Sequence, residues 1–198
     1  MPTTAKKEVQ NLTRRQKEGR AVNAVAELLR KTLSVPNIYL EPHAPRLAAD
    51  VLAVDRAGSG DLHGVQIKLA NDLESEKGKN PENLKILRRQ IEGWNLDFKK
   101  RMREIHKQVT ALPVHYKYLA IPQSSCDLVL GELGPLLYSP DGIGRLGIIA
   151  IVDYGEEHPT AEIVIAPERF RVDGAKLSKI EKNLINNKKV RPDIEVRI

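Results

Sequence analysis

Three residues on two neighbouring segments carry the chemistry this sequence offers. Asp50 stands inside Ala48-Ala49-Asp50-Val51-Leu52-Ala53-Val54, an apolar run that reads as a strand and where a carboxylate is unfavourable. Gln66 and Lys68 lie in the next such run, Gly64-Val65-Gln66-Ile67-Lys68-Leu69. Residues i and i+2 of a strand share a face, so Gln66 and Lys68 project together while Ile67 points into a core. A carboxylate and an amide oxygen are the hard donors that Mg²⁺ prefers, and Mg²⁺ keeps several waters, so one or two protein ligands suffice beside a substrate phosphate. A lysine on the same face can orient a nucleophile or neutralise that phosphate. Together these groups suit metal-dependent phosphodiester hydrolysis, in which the metal stabilises the pentavalent charge and lowers the pKa of the attacking water. The competing accounts are structural: Asp50 as a strand-edge or turn residue, Lys68 as a strand-end charge reaching solvent.

The elements that must position these residues are legible from periodicity and punctuation. Thr13 is a plausible N-cap for a helix to about Leu33, with Val22, Val25, Ala26 and Leu29 on one face. After a stretch broken by Pro36, Pro42 and Pro45, residues 48–54 form a strand, Gly58-Ser59-Gly60-Asp61 its turn and residues 64–69 the returning strand, a β-hairpin. Residues 70–80 read as a loop. Asn80-Pro81-Glu82 opens a long helix to about Lys107, with Leu84, Leu87, Ile91, Trp94, Phe98, Met102 and Ile105 at three- and four-residue steps. His115 to Ile121 is strand-like, Cys126 to Leu137 is ambiguous, Gly147 to Asp153 and Ala161 to Ile165 form a second strand pair, and a last helix spans about Gly174 to Asn186.

The order helix, hairpin, helix, strand, with Asp50 on one strand and Gln66-Ile67-Lys68 on the next, resembles the PD-(D/E)XK nucleases over roughly residues 13–122. Ala49-Asp50 stands where that family has Pro-Asp, and the QxK triplet stands for its (D/E)xK. The resemblance implies an α/β fold with a restriction-endonuclease-like αβββαβ core, a mixed central sheet flanked by helices, and here a small C-terminal α/β extension. It implies a single domain over 13–198 behind a basic arm at 1–12, and Mg²⁺ as cofactor, for which Mn²⁺ substitutes. Asp50 and Gln66 would hold the metal and Lys68 would assist. Relatives that resolve Holliday junctions carry a metal-binding Glu on helix one after a Lys-Gly or Arg-Gly pair. Here Glu18-Gly19-Arg20 places Asn23 at that position, a departure, and leaves Glu27, one turn on, or Glu18 to supply the carboxylate. Gln90 and Trp94 resemble the QxxxY motif of RecB-type members, Gln90 supporting the site and Trp94 replacing the Tyr; plain core packing is the rival account. With no metal bound, neighbours are expected to repel the Asp50 carboxylate, so that Asp50→Ala raises stability.

Charge and composition bound the partners. The formal net charge is +6, and it is uneven. Residues 1–31 hold eight Lys/Arg against three Glu and residues 77–107 hold ten against four acids, so the excess lies in two segments flanking a more acidic middle. That pattern suits a phosphate-gripping surface, with Arg14, Arg15, Lys17, Arg20, Arg88, Arg89, Lys99 and Lys100 as backbone contacts; solvated helix faces are the bland alternative. Aromatics are only 4%, too few for extensive base-stacking platforms. A lone cysteine, Cys126, excludes an internal disulfide and points to a reducing compartment. No leader or membrane span is evident, so a cytoplasmic protein is expected. The five histidines have no paired spacing for zinc, Gly142-Ile143-Gly144 lacks the Lys of a Walker-type loop, and Ser124-Ser125 lacks the glycines of a nucleophile elbow. The resemblance makes DNA the expected partner and a homodimer the expected assembly, because two strands must be cut. A nucleic-acid-binding module that keeps the fold with a weak or inactive site is the alternative, and a structural protein with charges for solubility a third.

Overall fold

The computed structural model describes residues 13–33, 37–40, 49–55, 60–69, 100, 102–137, 144–154 and 156–186. Their architecture is α/β. Helix α1 (Arg14–Leu33) is followed by strands β1 (Asn37–Leu40), β2 (Val51–Val54) and β3 (Leu62–Ile67). Helix α2 has its described part at 102–110 and leads to β4 (Tyr116–Pro122). A 3₁₀ turn (Gln123–Ser125) opens α3 (Cys126–Leu133), and β5 (Gly147–Val152), β6 (Thr160–Ile165) and α4 (Gly174–Asn186) complete the chain order.

All six strands share one sheet in the order β1-β2-β3-β4-β5-β6. The pairs β1/β2, β2/β3 and β5/β6 are antiparallel, and β3/β4 and β4/β5 are parallel. The strand pair expected near the C-terminus is therefore no separate extension, because β5 docks beside β4 and lengthens the central sheet. Parallel neighbours need a crossover, and α2 and α3 supply the two of them. β1 comes from Asn-Ile-Tyr-Leu between Pro36 and Pro42, which the sequence left as an irregular stretch.

Both faces of the sheet are covered, which explains why its central strands read as apolar runs. On one face, Ala21, Val25 and Leu29 of α1 pack on Val51, Val65 and Ile149. On the other, Met102 and Val109 of α2 and Val129 and Leu133 of α3 pack on Leu52 and Leu119. The start of α1 is fixed by a reciprocal cap: the Thr13 N–H donates to Gln16 Oε1 (2.9 Å) and the Gln16 N–H to Thr13 Oγ1 (3.3 Å). The Lys17 N–H then donates to the Thr13 carbonyl (3.1 Å) as the first helical bond.

Below the sheet, the chain between β6 and α4 crosses the starts of β3 and β4 as a strap. Arg169 Nη2 donates to buried Asp61 Oδ1 (3.0 Å), the Phe170 N–H donates to the His115 carbonyl (2.8 Å), and the Phe170 ring lies under the Lys117 ammonium (4.3 Å). His115 Nδ1 accepts the Leu62 N–H at 3.0 Å, so it carries no proton of its own; the 3.3 Å approach to Asp61 is then proximity, and Arg169 is the cation that holds that carboxylate.

Gly64 permits a close approach in this region. A Cβ there would lie 2.9 and 3.3 Å from the two γ-carbons of Val114, in the segment that feeds β4. Gly64→Ala is expected to lower the unfolding free energy by about 1–3 kcal/mol through overpacking, read from the urea midpoint; an unchanged midpoint would contradict the packing described.

Candidate active site

Strands β3, β4 and β5 end at one edge of the sheet, and β2, antiparallel to β3, begins there. Val51 lies opposite Val65, so the residue just before β2, Asp50, comes level with Gln66. The Asp50 N–H donates to the Val65 carbonyl at 2.8 Å, continuing the ladder. The next bond differs. The Ile67 N–H donates to the carboxylate, Asp50 Oδ2, at 2.5 Å, so the carboxylate takes the place of a strand carbonyl and closes the open end of the β2/β3 pair. Lys68 leaves β3 one residue later, its N–H donating to the Ala120 carbonyl of β4 at 2.9 Å. The arrangement thus brings Asp50 and the Gln66-Ile67-Lys68 triplet together.

Burial separates their roles. Gln66 is 5% exposed and lies within β3, whereas Asp50 and Lys68 are half-buried at the edge. Strand alternation puts Gln66 on the face of Leu62, under α2 and α3, with Ile67 packed on the opposite face. Among the described residues no carboxylate pairs with the Lys68 ammonium. Asp50 has a structural role, and it counts against the expectation that Asp50→Ala stabilises: removal of the carboxylate leaves the Ile67 N–H without this acceptor.

Helix α1 reaches the same edge. Its C-terminal end leads through three residues to Asn37, which lies opposite Val54 at the far edge of the sheet. Its first turns lie by the β5–β6 connection, where Arg20 Nη1 donates to the Glu156 carbonyl at 3.2 Å. At about 100° per residue, Asn23 and Glu27 each lie about 160° round the helix from Val25, on the side away from the sheet. Glu27 is 61% exposed there and paired with Lys31 at 3.3 Å. Glu18, seven residues before Val25, falls within about 20° of it and is half-buried on the sheet-facing side. Sequence spacing from Asn23 favoured Glu27, which faces away from the sheet; Glu18 shares the face of Ala21, Val25 and Leu29, on the side of the sheet opposite Gln66.

Of the basic residues, Arg14 and Arg15 stand in the first turn of α1, Lys17 and Arg20 follow half-buried, and Lys100 is exposed. Arg88, Arg89, Gln90, Trp94 and Lys99 lie outside the described residues. Cys126 is buried and its thiol is pushed up by that burial and by Asp127 and Glu162, as expected of a packing residue rather than a nucleophile. Sequence reasoning weighed Ser124-Ser125 only as a nucleophile elbow and did not single out Gln123–Ser125 as the turn that follows β4. The available signal was a polar turn straight after a long apolar strand.

A metal ion fits this edge in one respect and not another. Asp50 and Gln66 supply one carboxylate and one amide oxygen, a donor set suited to a hydrated Mg²⁺. Among the described residues, however, no group of three or more His, Cys, Asp or Glu side chains forms a metal cluster. No described helix is long and apolar enough to cross a membrane. No protein-family model matches the chain, and no curated protein matches it.

Proposed function

We propose that this chain is a Mg²⁺-dependent DNA endonuclease of the PD-(D/E)XK type. The observation that carries the reading is the meeting of Asp50 with Gln66 and Lys68 at the open end of β2/β3, with no described carboxylate on the lysine. The chain order α1-β1-β2-β3-α2-β4, with neighbouring strands adjacent in the sheet, supports it, as does the αβββαβ expectation drawn from the sequence.

Asp50 and Gln66 would hold the metal. Bound Mg²⁺ supplies charge neutralisation at the phosphate and acidifies a water. Lys68, a compact point charge on a flexible stem, neutralises the scissile phosphate as negative charge builds on its oxygens. Gln66 would offer its amide oxygen. The Ile67 N–H holds the Asp50 carboxylate in place, so the ligand is oriented before substrate arrives. The basic start of α1 contacts the sugar-phosphate backbone, which positions DNA without reading its sequence. Cutting both strands of a duplex calls for two such sites, hence a homodimer.

The second reading is a DNA-binding module with a weak or inactive site, favoured by the neutral Gln66 and by Glu27 facing away. A Mg²⁺ titration of DNA cleavage by wild type and Gln66→Glu distinguishes the two. If Gln66 ligates through its oxygen, Glu keeps the shape and adds charge, and activity is expected to survive at lower Mg²⁺. If its NH₂ group holds a water or phosphate oxygen, the variant loses a donor and activity falls at every Mg²⁺ concentration. Identical curves would remove Gln66 from the metal site, and no cleavage by either protein would favour the binding module.

A further inference from the structure

Helix α4 carries charge that neither its packing nor the site described above uses. Residues 174–191 hold six Lys/Arg against one Glu, a third basic segment in addition to those at 1–31 and 77–107. Within α4, Lys176, Lys179 and Lys182 are exposed, and among the described residues none of the three pairs with a carboxylate. The nearby acids are engaged elsewhere: Asp173 Oδ1 accepts the Ala175 N–H (2.8 Å) as the helix cap, and Glu168 pairs with Arg145 (3.6 Å). Lys176 and Lys179 also stand near the positive end of the helix dipole, where a cation gains nothing from the helix.

The helix is sorted by side. Leu177 and Ile180 pack into the core on the face of the sheet that holds Gln66. At about 100° per residue, Lys176, Lys179 and Lys182 fall about 40°, 100° and 160° from Ile180, all in one sense, while Leu177 and the one acidic position, Glu181, fall in the other. Each step of three residues rises about 4.5 Å, so the lysines form one ascending stripe. α2, in the same layer, exposes Arg103 and Lys107. The two helices are joined at Lys117, whose ammonium donates to the Thr110 carbonyl at the end of α2 and lies 4.3 Å from the centre of the Phe170 ring, four residues before α4 begins.

A stripe of cations with no apolar component fits a polyanion. A lipid surface also attracts lysines, but an interfacial helix binds through an apolar side, and that side of α4 is occupied by the core. A nucleic-acid strand carries a charge about every 3.4 Å of axial rise, a repeat that lysines about 4.5 Å apart along a helix can follow on their flexible stems. We propose that Lys176, Lys179 and Lys182 form a second DNA-backbone surface, separate from the cleavage site, which holds duplex on the Gln66 side of the sheet while the basic start of α1 holds it on the other. The proposal rests on DNA as the partner in the reading above. Its contacts are to phosphate and not to bases, so the surface adds affinity without sequence preference.

The test uses the full chain in EDTA, so that binding is read without chemistry. Acetylation of each lysine is followed by mass spectrometry with and without a short DNA duplex. Lys176, Lys179 and Lys182 are expected to react several-fold more slowly with duplex bound, and Lys31, 75% exposed and paired with Glu27 on the outer side of α1, at an unchanged rate. The triple variant K176Q/K179Q/K182Q puts good helix formers at exposed positions. Each lost phosphate contact flattens the slope of log K against log salt by about 0.9, so the affinity advantage of wild type over the variant is expected to grow about 40-fold from 200 to 50 mM salt. Unchanged rates at the three lysines, equal protection of Lys31, or parallel salt plots for the two proteins overturn the proposal; so does protection by vesicles of phosphatidylserine and phosphatidylcholine without protection by duplex. Failure of wild type to bind duplex removes both this surface and the nuclease reading. Protection without cleavage in Mg²⁺ leaves the surface standing and the nuclease reading fallen, whereas cleavage with the three lysines unprotected does the reverse.

Discussion

Asp50→Asn is expected to lower metal-dependent DNA cleavage by roughly 10²–10³-fold or more, the loss typical of one electrostatic group acting on the transition state, with little change in unfolding temperature. Asn keeps an oxygen for the Ile67 N–H, so the end of β2/β3 stays closed, but it lacks the charge on which the proposed metal ligation depends. Asp50→Ala is expected to lose activity as fully and in addition about 1–3 kcal/mol of stability, because the Ile67 N–H then lacks the acceptor found 2.5 Å away in the wild type. The pair of variants separates the two roles of one carboxylate. Equal stability of the Ala and Asn variants would show that the Ile67 bond contributes nothing, and full activity in Asn would remove Asp50 from the chemistry.

The second large effect concerns acid. His63 is buried against Tyr116, with ring centroids 4.5 Å apart, and its Nδ1 lies 3.2 Å from the Tyr118 hydroxyl. Burial lowers its pKa from 6.5 to about 4, with His115 adding to the effect and Asp61 and Asp55 opposing it. Burial also pushes the Tyr118 phenol up, so its hydroxyl keeps the proton it can donate to the ring. The folded pKa is the lower one. The stability tied to this histidine is therefore fully present above pH 6.5, where both states are neutral, and is lost as pH falls through 6.5 toward 4, where only the unfolded chain takes up the proton. The loss is about 3 kcal/mol. His63→Phe keeps the stacking and removes the titration. Between pH 7 and 4 the stability difference between wild type and variant is expected to shift by about 3 kcal/mol against wild type, measured by urea unfolding at each pH; parallel curves would mean that His63 titrates normally in the folded protein.

How far the site was legible follows from which interactions are local. Helix α4 occupies the residues its periodicity indicated, and α1 starts where Thr13 and Gln16 can cap each other. The hairpin was readable because two apolar runs flank a Gly-Ser-Gly turn, and with it came the meeting of Asp50 with the QxK triplet. β1 was not, since four residues between prolines carry no measurable alternation and pair only because β2 accepts them. The joining of β5 to β4 is a long-range pairing that no window of sequence contains. Glu18 and Glu27 differ by nine residues and both are plausible by spacing; which of them faces the sheet follows from the side of α1 that buries Ala21, Val25 and Leu29, an apolar stripe already present in the sequence. That Asp50 replaces a strand carbonyl as acceptor for Ile67 required the register.

The central claim is that Asp50, Gln66 and Lys68 form a metal-dependent phosphodiesterase site. The most direct measurement is cleavage of end-labelled duplex, single-stranded and branched DNA by wild type and Lys68→Ala, in Mg²⁺, Mn²⁺ and EDTA. Wild type is expected to cleave at least one substrate in Mg²⁺ and Mn²⁺ and none in EDTA, and Lys68→Ala to lose roughly 10²-fold or more with DNA binding largely retained. Cleavage that persists in EDTA, or that Lys68→Ala performs at the wild-type rate, would contradict that claim.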